Sequence, residues 1–251
     1  MGAIIFKELK SYFKSMFGWI FLAVFTFFAG LYYLINNIYN GSPYISVSMS
    51  SMIIVLIFIL PLLTMRIISE EKRQKTDQFL ITSPIPLWKV VLGKFLSIAI
   101  ILFAASMLFL IGTVLLSVYG NISWMQALYS ILIFFVFSCA LASVGIFMSS
   151  ITEHQFLAAI YTYFVFIFTL LAPQFCYMIF GSEKLISKIL RIFDIYSRFD
   201  NLMAGRLCIS DLLYLLSVIA IFIILSYKVF AKDSVQISGR INNGAVFFEE
   251  R

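Results

Sequence analysis

Two stretches without a single formally charged side chain dominate the sequence, one from Ser15 through Met65 and one from Phe95 through Thr152. A helix crosses the hydrocarbon core of a bilayer with ~20 apolar residues, so each stretch is too long for one crossing and suits a hairpin of two. Turn residues divide both at the expected places: Asn40, Gly41 and Pro43 in the first, Tyr119, Gly120 and Asn121 in the second. The spans then run from about Phe17 to Asn36, Val47 to Met65, Phe95 to Val118 and Trp124 to Met148. A fifth covers Phe156 to Phe180, and a sixth, Leu212 to Tyr227, is long enough once its flanking residues snorkel. Composition closes the alternatives. With 62% hydrophobic and 12% charged residues, against the ~25% charged of soluble domains, the chain is neither a soluble enzyme, a nucleic-acid binder nor a disordered scaffold.

The expected fold is an all-α polytopic membrane protein with six transmembrane helices in one domain spanning 1–251. Its parts are an N-terminal interfacial helix (1–16), spans 1 and 2 (17–65), a polar segment (66–94), spans 3 to 5 (95–180), an amphipathic segment (181–211), span 6 (212–230) and a tail (231–251). Sidedness follows from the cations. Three Lys in the lead-in, six Lys or Arg in 66–94 and four from Lys228 onward place 13 of the 18 on one side. The positive-inside rule puts that side, with both termini, in the cytoplasm. The net charge of +6 then reports topology and attraction to anionic lipid, with no nucleic-acid partner implied.

Outside the spans, Ile5, Leu9, Tyr12 and Phe13 fall on one side of a helix and Lys7, Lys10 and Lys14 largely on another, the pattern of a helix lying on the membrane face. The longest cytoplasmic segment is ordered by charge. Ser69, Glu70 and Glu71 suit a helix N-terminus, Lys72, Arg73 and Lys75 follow, and Pro84 and Pro86 disfavour helix before them. A short mixed-charge helix through Thr76, Asp77 and Gln78, with Phe79 and Leu80 as its apolar face, is expected to project below the membrane and dock a cytoplasmic protein. In the second cytoplasmic turn, Thr152 and Gln155 match a capping box, with Glu153 and His154 as solvated charge and cap. On the far side, Leu185, Ile189, Ile192 or Phe193, Tyr196, Phe199 and Met203 recur at helical spacing, Gly205 ends that pattern and Asp211 is placed to cap span 6.

Several chemistries have no residues to carry them. There is no phosphate-binding Gly-x-x-x-x-Gly-Lys-[Ser/Thr] loop, no Gly-x-Ser-x-Gly elbow and no Asp, Glu, Lys or Arg in the interior of a span, which disfavours both a nucleotide hydrolase and an ion-coupled carrier. The one histidine, His154, has no second imidazole or nearby thiol to share a cation with, so no metal site is expected, and three cysteines give no disulfide framework. Ser138, Ala142, Gly145 and Ser149 form a small-residue stripe that lets a second helix approach, and Pro61 and Pro173 should kink spans 2 and 5.

The run Leu62 to Arg66, Ser69 to Thr76, Leu80 to Ile85 and Val91 to Phe95 resembles the permease subunit of type-2 ATP-binding cassette (ABC) transporters, particularly the gliding-motility and nitrous-oxide-reductase-maturation branch. Ser150 to Gln155 and Gly205 to Tyr214 share the likeness. The resemblance implies that the segment between spans 2 and 3 is a coupling helix touching a separate cytoplasmic ATPase, and that 152–155 makes a secondary contact. It implies also a second permease chain, and ATP and Mg bound on the ATPase, with no catalytic residue or cofactor here. The competing reading is a non-transport anchoring or assembly subunit that docks a cytoplasmic partner.

Overall fold

In hydrocarbon each backbone N–H and C=O needs an internal partner, so long apolar stretches settle as helices. The computed structural model describes residues 2–73, 86–119, 123–180, 194–206 and 208–249, which are mostly helical and without a strand. Helix α1 (Gly2–Lys14) is separated from α2 (Met16–Tyr33) by Ser15, whose backbone is extended. A π-helical turn (Leu34–Tyr39) carries α2 onward, and Gly41, at φ 66°, turns the chain into α3 (Ile45–Thr64). After Met65 alone, α4 (Arg66–Arg73) begins. Then come α5 (Leu87–Tyr119), α6 (Trp124–Ile151), α7 (Gln155–Phe180), α8 (Ile195–Met203) and α9 (Ile209–Glu249).

Among the described residues six helices are long and apolar enough to cross a membrane, over Met16–Tyr39, Ile45–Arg73, Leu87–Val118, Trp124–Ile151, Gln155–Phe175 and Ile209–Lys232. All six expected spans are matched, and the differences lie at their ends. The third helix starts at Leu87, well before Phe95, because Pro86 precedes its first turn, where a missing N–H costs nothing; Lys89 N–H bonds Pro86 O at 2.9 Å. Trp88, Lys89 and Lys94 therefore belong to a span helix and not to a loop. The last helix runs past Tyr227 through most of the residues read as a tail.

The second and fourth spans form the centre, with 67% and 72% of their apolar windows enclosed, against 22% for the first and 17% for the last. Gly145 explains how closely α6 and α3 approach: a Cβ there would meet Thr64 Oγ1 at 2.4 Å. The small-residue stripe thus does face a partner helix, with Ser138, Ala142, Gly145 and Ser149 all buried. Tyr163 of α7 donates to Phe58 O at 2.6 Å, one turn before Pro61, and so ties α7 to α3 near that proline.

Helix α8 does not lie flat on a surface. It packs among α3, α6, α7 and α9, with Phe199 fully buried and its ring 4.2 Å from that of Phe137. Phe25, Phe109 and Phe134 extend this aromatic cluster into the bundle. Gly205, at φ 80°, follows the end of α8 as expected. Asp211 stands in the first turn of α9, but its carboxylate pairs with Arg198 Nη1 at 3.0 Å, tying α9 to α8.

Candidate functional site

At one end of the bundle α1, α4, the start of α5 and the end of α6 meet. Its centre is Lys94, whose side chain is 1% exposed. The ammonium lies 2.7 Å from Glu71 Oε2 and 3.1 Å from Glu8 Oε1, and donates to Ile67 O at 2.7 Å. Three segments distant in sequence thus converge on one nitrogen. A buried ammonium is tolerated only when such partners replace its water, and losing one partner leaves a buried charge uncompensated. Lys7, exposed, reaches Glu71 from outside at 3.4 Å.

Local sequence explains the close seating of α1. Gly93 has no side chain, and a Cβ in its place would meet Ile4 Cγ2 at 3.0 Å. Beside it, Tyr12 donates to Leu63 O at 2.8 Å. Burial, reinforced by the nearby Glu8 carboxylate, pushes the Tyr12 phenol far above its ordinary range, so it remains a donor at physiological pH. Helix α1 is therefore bonded to the end of α3, to α4 and to α5 together.

The short α4 has no capping side chain of its own. Ser149 of α6 supplies one: its Oγ accepts from Ile68 N at 3.3 Å and Ser69 N at 3.2 Å, and donates to Met65 O at 3.0 Å. Ile68 N is one of the donors a helix start leaves without an intrahelical partner, here met from another helix. Ser69 was expected to open the helix. It lies instead inside α4, because α4 follows α3 after one residue, and its hydroxyl donates to Met65 O.

The other expected coupling residues divide clearly. Glu70 pairs with Arg66 at 2.6 Å, and the Arg66 guanidinium lies 4.3 Å from the centre of the Phe17 ring. Lys72 Nζ donates to Ser150 O, which joins the two polar segments that the sequence suggested. Arg73 is exposed, as are Glu153 and His154. Lys75, Thr76, Asp77, Gln78, Phe79 and Leu80 lie outside the described residues. Thr152 and Gln155 do not form the expected capping box: Thr152 ends α6 in an extended conformation and its hydroxyl makes no hydrogen bond among the described residues, while His154 O accepts from Ala158 N at the start of α7.

Sequence reasoning missed Lys94, Glu8, Tyr12 and Ser149 as parts of one site. A signal for Glu8 was present, since it is the only acidic residue before Glu70 and sits in an otherwise basic helix.

A membrane domain with a polar junction at one end is consistent with the comparison of the chain against known families. The model described as ABC-2 family transporter protein matches residues 36–228, well over half of the sequence. Among curated proteins, none matches. The chain belongs to the ABC-2 family of transporter proteins and is a multi-pass membrane permease domain of an ABC transporter.

Proposed function

We propose that this chain moves substrate across the cell membrane using ATP hydrolysed, with Mg, by a separate cytoplasmic ATPase, with both of its own termini in the cytoplasm. The resemblance to the gliding-motility and nitrous-oxide-reductase-maturation branch belongs to this proposal, as does a second permease chain alongside the first. Within it, 69–80 is the docking element for the ATPase, with 152–155 as a secondary contact.

The observation that carries the reading is the Lys94 junction. A push on α4 at Glu71 reaches α5 through Lys94 and α1 through Glu8, and it reaches α6 through Lys72 and Ser149. Packed elements joined in this way move as bodies, so displacement of a docked subunit is passed to several spans without a flexible linker. Family membership supports an ATPase partner, because the family generally works with one.

The test replaces the apolar face of the docking element. Phe79→Ala with Leu80→Ala removes buried contact worth about 1.5–3 kcal/mol per side chain if both are covered by the ATPase. The double variant is expected to insert normally while losing co-purification with the ATPase and transport. Normal association and normal hydrolysis coupled to transport would return the segment to a solvated loop and favour the anchoring-subunit reading.

A further inference from the structure

We infer that the groove between α5 and α9 holds one acyl chain of an anionic phospholipid from the leaflet on the α1 side of the membrane. The groove has a volume of about 440 Å³. Its walls are Trp88, Val91 and Leu92 from α5 and the face of α9 from Leu216 to Tyr227. Nothing polar lines the deeper part, which suits a hydrocarbon chain. Along α9 the groove runs eleven residue steps, about 16 Å at 1.5 Å per residue. That is about half of a ~30 Å hydrocarbon core, the depth of one leaflet.

The mouth supplies the second half of the argument. Trp88 and Tyr227 stand there, the residue types that favour the level of lipid headgroups. Lys89 lies 5.5 Å from the centre of the Trp88 ring, Lys228 follows Tyr227, and Lys232 is one turn farther along α9. Among the described residues neither Lys89 nor Lys228 has an acidic partner, so this end of the groove is a cationic rim over an apolar slot. A phosphate headgroup above its own acyl chain complements both.

A second groove on the same molecule shows what is missing when the rim is neutral. Phe17, Ile20, Phe21, Val24, Ile59, Leu62 and Leu63 line a slot of about 290 Å³ between α2 and α3. The cation beside it, Arg66, is already held by Glu70 and the Phe17 ring. Of these two grooves, the α5–α9 groove joins an apolar slot to lysines that have no acidic partner among the described residues. That the leaflet is the cytoplasmic one rests on the orientation proposed above; the site itself does not.

The test reconstitutes the full chain in vesicles of equal phosphatidylglycerol and phosphatidylcholine, extracts it in mild detergent and counts retained lipid by native mass spectrometry. The chain is expected to keep one phosphatidylglycerol in about tenfold preference to phosphatidylcholine, as near-surface lysines confer. Lys89→Gln with Lys228→Gln should bring the two lipids near parity while a lipid is still retained. Ala220→Trp, which fills the slot, should abolish retention, and Leu62→Trp in the other groove should leave it unchanged. Equal retention of both lipids by the unaltered chain, unchanged preference in the double lysine variant, or loss of a second protomer in place of lipid in Ala220→Trp would overturn the inference. None of these readouts needs an ATPase or transport, so failure here and failure of the permease reading are separable.

Discussion

At Lys94 the surrounding groups decide everything, because the side chain itself is among the least tolerant of burial. With Glu8 and Glu71 facing it, Lys94→Met leaves two partly buried carboxylates without their shared counter-ion. Breaking a buried pair in this way costs about 3–5 kcal/mol. Lys94→Met is thus expected to lower the unfolding midpoint of the detergent-solubilised chain, and Glu8→Gln with Glu71→Gln added to it should restore most of the loss. Recovery by the triple variant separates uncompensated charge from lost packing. Gly145 makes a second prediction. Gly145→Ala drives a Cβ into Thr64 and should destabilise by about 1–3 kcal/mol, with partial relief from Thr64→Ala, which removes Oγ1 and Cγ2 but leaves the Cβ at 2.8 Å. The two positions were unequally legible. Gly145 stands in a small-residue stripe whose periodicity announces a close helix contact. Lys94 stands at the edge of a charge island, where hydropathy reads any lysine as solvated, and its partners lie tens of residues away.

Among the elements, α4 depends most on its neighbours. It has eight residues, too few to persist alone in water. Its first turn is completed by Ser149, so Ser149→Ala should cost about 0.5–2 kcal/mol, the range for a lost cap. Hydrogen exchange is the sharper readout: the amides of Ile68 and Ser69 should exchange faster in that variant while those in the middle of α6 do not. Hydropathy located each span because length and charge-free composition are local properties. Where α4 begins was not local. Ser69, Glu70 and Glu71 spell a helix start in their own order, yet α3 reaches Thr64 and restarts at Arg66, which leaves no room for one. The seating of α8 was likewise hidden, since an amphipathic helix looks the same whether its apolar face meets lipid or the Phe134 and Phe137 rings inside a bundle.

For the whole molecule, the orientation and the assembly are open to direct measurement. A cysteine placed at Ser42 is expected to react with a membrane-impermeant thiol reagent from outside intact cells, and one at Ser83 only after permeabilisation; the reverse pattern would invert the proposed topology. The first, fifth and sixth spans are little enclosed by the rest of the chain, at 22%, 24% and 17%, which leaves broad helical faces for lipid and for a second permease. The mass of the transport-competent complex in detergent should correspond to two permease chains with two ATPases. The Lys94 junction bears finally on how the chain is made. Glu8 emerges from the ribosome first and Glu71 later, and until α5 is synthesised these two carboxylates have no Lys94 to share. Synthesis proceeds from the N-terminus, so while only the first two spans are inserted α1 and α4 are joined by the exposed Lys7–Glu71 pair and not yet by the buried ammonium. A nascent chain halted before Lys94 lacks the buried part of the junction, which the arrival of the third span completes.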